Sequence, residues 1–171
     1  MAEATDQRTS WKIALLCVIA IELLGGLSGW LSNSGYGNGW FDALRKPIFM
    51  PPGWAFGVVW PILYALMGVA LAMVLADRVS DRRRYALSLF FIQLALNLAW
   101  SPIFFGAHDI ALAKWVIFVM AICAAAAAGQ FLRIRKAAGL LMVPYLVWLV
   151  FAAILHVTIE ALNPAAGTSL F

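Results

Sequence analysis

The sequence predicts an all-α membrane protein: a bundle of five transmembrane helices with a long lid loop between the first and the second. Three observations predict it. Hydrophobic residues fill 64% of the 171 positions and charged residues only 12%, against roughly half and roughly a quarter in an ordinary soluble domain. Five apolar stretches each reach the ~20 helical residues that cross a bilayer core about 30 Å thick. Continuously apolar runs such as 65–76 lack the alternation of a transmembrane β-strand, which excludes a barrel. Composition also excludes a soluble enzyme, a disordered chain and a nucleic-acid binder. The formal charge of +4 comes from 12 Lys and Arg against 8 Asp and Glu, too few for a phosphate-binding face.

In chain order, residues 1–12 form a polar tail without the basic start of a signal peptide, and the apolar stretch after it lacks a small-residue cleavage site, so it counts as the first helix. The helices are expected at about 13–31, 55–76, 85–107, 110–132 and 137–159, one transmembrane domain over 13–159, with a C-terminal tail at 160–171. Pro61, Pro102 and Pro144 each remove a backbone donor within a helix and predict kinks around a cavity. Cys17 and Cys123 fall in apolar segments and read as small buried hydrophobes.

Basic residues near membrane spans are retained in the cytoplasm. Nine of the twelve collect on one side: Arg8, Lys12, Arg78, Arg82, Arg83, Arg84, Arg133, Arg135 and Lys136. Arg45, Lys46 and Lys114 fall on the other. The expected orientation is a cytoplasmic N-terminus in a bacterial inner membrane, with the C-terminus and the 32–54 connection on the opposite face.

That connection is by far the longest, and long loops are often functional. It opens with turn formers, passes through Trp40-Phe41-Asp42-Ala43-Leu44 and ends in Pro47, Pro51 and Pro52, which stiffen the backbone. Its aromatic residues suggest a lid folded over the helix ends, with Trp40, Phe49 and Trp54 at the membrane interface.

On the second helix Trp60, Tyr64 and Met67 share one face by their spacing, and on the fifth Tyr145, Trp148, Phe151 and Ala152 do the same. Two such faces can sandwich a flat apolar ligand or simply form core. Arg45 and Lys46, on the lid side, are candidate donors to a carboxylate at the mouth. Gln93, Asn97 and Ser101 recur every fourth residue of the third helix and must point inward, bonding between helices or lining a cavity. Glu22, at the centre of the first helix, must be protonated or paired, with Gln93, Asn97 or His156 as candidate partners. No acid-base pair, nucleophile triad or metal cluster supports hydrolysis in the dark.

Several blocks together resemble the TspO/translocator protein (TspO/MBR, or peripheral benzodiazepine receptor) family. They are Trp40-Phe41-Asp42-Ala43-Leu44-Arg45-Lys46-Pro47, Pro51-Pro52-Gly53-Trp54-Ala55-Phe56-Gly57-Val58-Val59-Trp60 and Leu63-Tyr64-Ala65-Leu66-Met67-Gly68. Gln93-Leu94-Ala95-Leu96-Asn97-Leu98-Ala99-Trp100-Ser101-Pro102-Ile103-Phe104-Phe105-Gly106 and Pro144-Tyr145-Leu146-Val147-Trp148, followed by Phe151-Ala152, complete the match. The resemblance implies a five-helix bundle, often a homodimer, whose pocket under the first loop accepts protoporphyrin or haem, sterol-like lipids and benzodiazepine-type drugs. It implies no obligatory cofactor.

Carried onto this chain, the implied ligand site comprises Trp40, Arg45, Lys46, Pro51, Trp54, Trp60, Tyr64, Gln93, Asn97, Trp100, Tyr145, Val147, Trp148 and Phe151. The implied dimer face on the third helix is Ala95 with Ala99. His156 departs from the family pattern, which usually has Asn at that point of Ala153-Ile154-Leu155-His156; it reads as a helix contact or as a candidate axial haem ligand, and no other metal ligand is expected. The family's C-terminal sterol motif is absent, since no Lys or Arg follows Lys136. Three roles stay open: tetrapyrrole binding with transport or stress-linked removal, light-dependent porphyrin breakdown by Trp60 and Trp148, and a sterol- or lipid-binding regulator.

Overall fold

Five long apolar segments do fold as five helices long enough to span a membrane. The computed structural model describes residues 2–77 and 79–166, with side chains from Trp11 onward. In order the helices are α1 (Ala2–Leu31), a short α2 (Gly39–Ala43), α3 (Gly53–Ala76), α4 (Arg83–Ser101), α5 (Ile110–Ile134), a short α6 (Lys136–Leu141) and α7 (Val143–Leu162). No strand occurs among the described residues.

The three prolines act differently. α3 continues through Pro61. Pro102 opens a π-helical turn, Pro102–Gly106, that extends α4. Pro144 sits in the first turn of α7, where its missing N–H costs nothing. The fifth span is therefore two helices, α6 and α7, meeting at Met142, and the long lid loop contains the short helix α2.

The core lies between α3, α4, α5 and α7, where Met67, Ala70, Phe90, Ala124, Phe131 and Tyr145 are fully buried. Phe90 stacks on Phe131 with ring centroids 5.6 Å apart. α1 packs chiefly on α3 and turns Leu16, Leu23, Leu27 and Trp30 outward, as expected of a lipid-facing helix. Its close approach depends on Gly68, where a Cβ would lie 2.6 Å from Val18 Cα.

Successive antiparallel spans bring Lys12, Arg82, Arg83, Arg84, Arg133, Arg135 and Lys136 to one end of the bundle, as counted from the sequence. The Arg8 side chain and Arg78 lie outside the described residues, as does the tail beyond Ala166. Within that cluster Arg83 folds back, its Nε donating to the Val74 carbonyl at 3.2 Å and Nη2 to the Leu75 carbonyl at 3.0 Å, so it caps the end of α3.

Candidate functional site

At the opposite end, under the lid, the helices enclose a cavity of about 320 Å³, near the lower bound of small-molecule sites. Its walls come from α1, the lid, α3, α4 with its π turn, α5 and α7.

The lid is a folded cap, and its polar residues explain why. Gly35 and Gly37 take the positive φ values of 104° and 96° that the reversal needs. Asn38 then caps α2, its Oδ1 accepting from the Phe41 N–H at 3.1 Å. Lys46 Nζ closes the other end of α2, donating to the carbonyls of Phe41 at 2.7 Å, Asp42 at 3.1 Å and Leu44 at 3.3 Å. Asn163, just past α7, holds the Arg45 backbone from both sides, accepting from its N–H and donating to its carbonyl, each at 2.9 Å. Tyr36 spans the loop with a bond from its hydroxyl to the Pro51 carbonyl at 3.2 Å.

Beneath the lid, aromatic rings from α3 and α7 meet. Trp60 and Trp148 stand edge to face with centroids 6.3 Å apart. Trp60 also tilts against Tyr64 at 5.2 Å, while Trp148 contacts Phe56 at 5.9 Å and Phe151 at 5.4 Å. A second group forms on the α4 side, where Trp100 stacks on Phe104 at 5.2 Å and His156 packs against Phe104 at 4.7 Å. Such edge and offset contacts are the favourable geometries of aromatic pairs. They leave the cavity with large apolar walls.

Polar chemistry enters from α4. Asn97 Oδ1 accepts from the Tyr64 hydroxyl at 2.8 Å, and its Nδ2 donates to the Tyr145 hydroxyl at 3.1 Å, tying three helices together. Ser101 reaches the lid, within 3.2 Å of the Ser34 hydroxyl. Glu22 is the single charged side chain among the lining residues. On the same helix Gly25 leaves room for the Tyr64 ring, which a Cβ there would strike.

Of the residues singled out from the sequence, Trp60, Tyr64, Asn97, Trp100, Trp148, Phe151, Glu22 and His156 line this cavity. Tyr145 lies fully buried behind Asn97. Gln93 is also fully buried, outside the lining, with neither its Oε1 nor its Nε2 hydrogen-bonded among the described residues. Trp40 stacks on His108 at 4.5 Å and buttresses the lid from outside. Pro51 serves through its carbonyl, as above. Trp54 and Val147 are exposed and face away from the cavity.

Arg45 and Lys46 do not line the cavity either: Lys46 is taken up by α2, and Arg45 is exposed. His156 is buried with Nε2 unpartnered among the described residues, and no group of three or more His, Cys, Asp or Glu converges there. Ala95 is exposed and Ala99 half-buried on α4, whereas Ala124 and Ala128 are buried inside the bundle.

Several lining residues, among them Phe56, Met50, Phe104 and Phe105, were not assigned to the site from the sequence. Phe56 lies four before Trp60, so the stripe on α3 already contained it. Met50, Phe104 and Phe105 had no such signal, because a loop and a π turn carry them.

The model of the TspO/MBR family matches residues 14–162. The Tryptophan-rich protein TspO of Chlorobaculum tepidum is 38% identical over 160 residues, covering 89% of this chain and 97% of that protein. The Tryptophan-rich sensory protein of Cereibacter sphaeroides is 39% identical over 124 residues, 72% of this chain and 77% of its own length. The Translocator protein of Sus scrofa is 36% identical over 146 residues, 82% and 86%.

Proposed function

The chain belongs to the TspO/MBR family, and from that premise we propose that it binds a tetrapyrrole, protoporphyrin or haem, in the cavity beneath its lid and shelters it for transport or removal along the membrane. One observation carries the reading: Trp60 and Trp148 come from different helices to stand 6.3 Å apart in an apolar-walled cavity. A tetrapyrrole is a flat, mostly apolar disc, and it stacks on the faces of aromatic rings such as these. The disc exceeds about 320 Å³, so it enters edge first and leaves its carboxylates at the lid, away from Glu22. Asn97 and Tyr64 offer hydrogen bonds to the inserted edge.

In this reading the protein is a homodimer formed through the Ala95 and Ala99 face, since small residues let helices approach closely. It sits in a bacterial inner membrane with the N-terminus cytoplasmic, following its basic end.

The test is a protoporphyrin titration in nanodiscs, in the dark, followed by the shift of the porphyrin absorbance. Trp60→Leu and Trp148→Leu should each weaken binding by about 0.5–1.5 kcal/mol, or about two- to tenfold. Binding no stronger than to empty discs overturns the reading. Illuminating the same samples separates the alternative role, because bleaching that requires both tryptophans would make the protein a photochemical enzyme.

A further inference from the structure

We propose that the same cavity is a receptor for apolar amines, with Glu22 as the counter-charge that selects them. The argument begins with position. Glu22 stands midway along the Trp11–Leu31 span, where an unpaired carboxylate is costly. Lys114, the lysine farthest inside a span, is already paired with Glu160 at 2.5 Å, and Arg83 is committed to the end of α3. Among the described residues Glu22 makes no hydrogen bond or ion pair, so the partner its charge calls for comes from outside the chain.

The surroundings specify that partner's chemistry. Lining the same cavity as the carboxylate are the rings of Trp60, Tyr64 and Trp148, and aromatic faces attract an ammonium group as well as its apolar substituents. Gly26, one turn on from Glu22 in α1, has nothing within 4 Å of an added Cβ and leaves open space beside it. Gly26, Gly57 and Pro61 both line the cavity and are exposed, so the rim opens between α1 and α3 toward the bilayer, where an amphipathic amine partitions. A cavity of about 320 Å³ suits a small molecule of this class. A hydrated inorganic cation is excluded by the scarcity of oxygen ligands, because no second carboxylate lies in the lining.

The experiment compares a hydrophobic tertiary amine, 4-phenylbutyl-dimethylamine, with its uncharged isostere in which C–H replaces the nitrogen. Both are titrated by calorimetry into the protein in zwitterionic nanodiscs, with empty discs subtracted and no porphyrin present. The amine should bind at least about tenfold tighter than the isostere, the equivalent of about 1.4 kcal/mol. Glu22→Gln should bring that ratio close to one, and Glu22→Asp should retain part of it. Equal affinities in the parent, or a ratio that survives Glu22→Gln, overturns the proposal.

Should the variants fail to fold, the parent protein still decides. A hydrophobic carbodiimide labels intramembrane carboxyls, and the amine but not the isostere should protect Glu22 from it, read by mass on the 13–45 tryptic fragment, with sequencing of the fragment to separate Glu22 from Asp42. Protection by neither or by both overturns the proposal. Because no porphyrin takes part, failure here leaves the tetrapyrrole titration to be judged separately.

Discussion

Asn163, at the end of α7, grips the backbone of Arg45 in the lid through two hydrogen bonds of 2.9 Å across 118 positions of sequence. This is a latch between the last helix and the cap over the cavity. The lid also docks through apolar contacts, Phe41 and Leu44 being buried against the π turn, and this carboxamide adds the hydrogen-bonded tie to α7.

Removing the latch should loosen the lid without unfolding the bundle. Asn163→Leu deletes two hydrogen bonds worth about 1 kcal/mol each at most after solvent competes, and one or two kcal/mol is about a five- to thirtyfold change in an opening equilibrium. Hydrogen exchange at the Arg45 and Lys46 amides should accelerate by that factor, as should tryptic cleavage after Arg45. Unchanged rates would show that Phe41 and Leu44, buried against the π turn, hold the lid alone.

The fold was legible because bilayer thickness dictates helix length, and five stretches met it. The α3 face was legible for a related reason: a helix repeats every 3.6 residues, so Trp60 and Tyr64 had to point the same way. Arg45 and Lys46 show where that logic stops. A loop has no period, and the direction of Lys46 is decided by three carbonyls that only the folded α2 brings together. The π turn defeats periodicity in the same way, since it shifts Phe104 and Phe105 off the register of α4. Gln93 had the right spacing, yet depth along the bundle put it below the cavity floor.

The approach of α1 to α3 should be intolerant of a single methyl. A Cβ on Gly68 would meet Val18 backbone atoms at 2.6 and 2.7 Å, and backbone cannot rotate away. Gly68→Ala should destabilise by about 1–3 kcal/mol, as overpacking does. Gly129, inside α5, has nothing within 4 Å of an added Cβ, so Gly129→Ala should be neutral or stabilising by up to about 1 kcal/mol. Thermal unfolding in one detergent compares the two, and equal effects would refute the close contact.

Lys114 and Glu160 pair between α5 and α7 at 2.5 Å, with side chains 19% and 30% exposed. Lys114→Met strands a partly desolvated carboxylate and should cost about 1–3 kcal/mol, less than a fully buried pair because water still reaches it. The double replacement Lys114→Met with Glu160→Leu should recover most of that loss, since two apolar side chains need no partner. Denaturation midpoints of the three variants check this, and a double variant worse than the single would show that the pair itself stabilises the helices.

The Tyr64, Asn97 and Tyr145 chain should behave as one unit. Tyr64→Phe leaves Asn97 Oδ1 without its donor, and Tyr145→Phe leaves Nδ2 without its acceptor, each costing about 1–3 kcal/mol for a buried group left unsatisfied. Asn97→Leu removes both demands on the amide but strands two hydroxyls. Once it is in place, adding both phenylalanines should cost far less than in the parent, or even restore stability. A cycle of these variants should therefore show a coupling of about 0.5–3 kcal/mol by thermal unfolding. Simple additivity would mean that the three side chains do not share one network. Tyr64 alone of the two tyrosines lines the cavity, so Tyr64→Phe should also shift ligand affinity while Tyr145→Phe changes stability first. If the two tyrosine variants alter protoporphyrin affinity equally, ligand contact at Tyr64 is refuted, and Asn97 acts on the cavity only by holding the helices together.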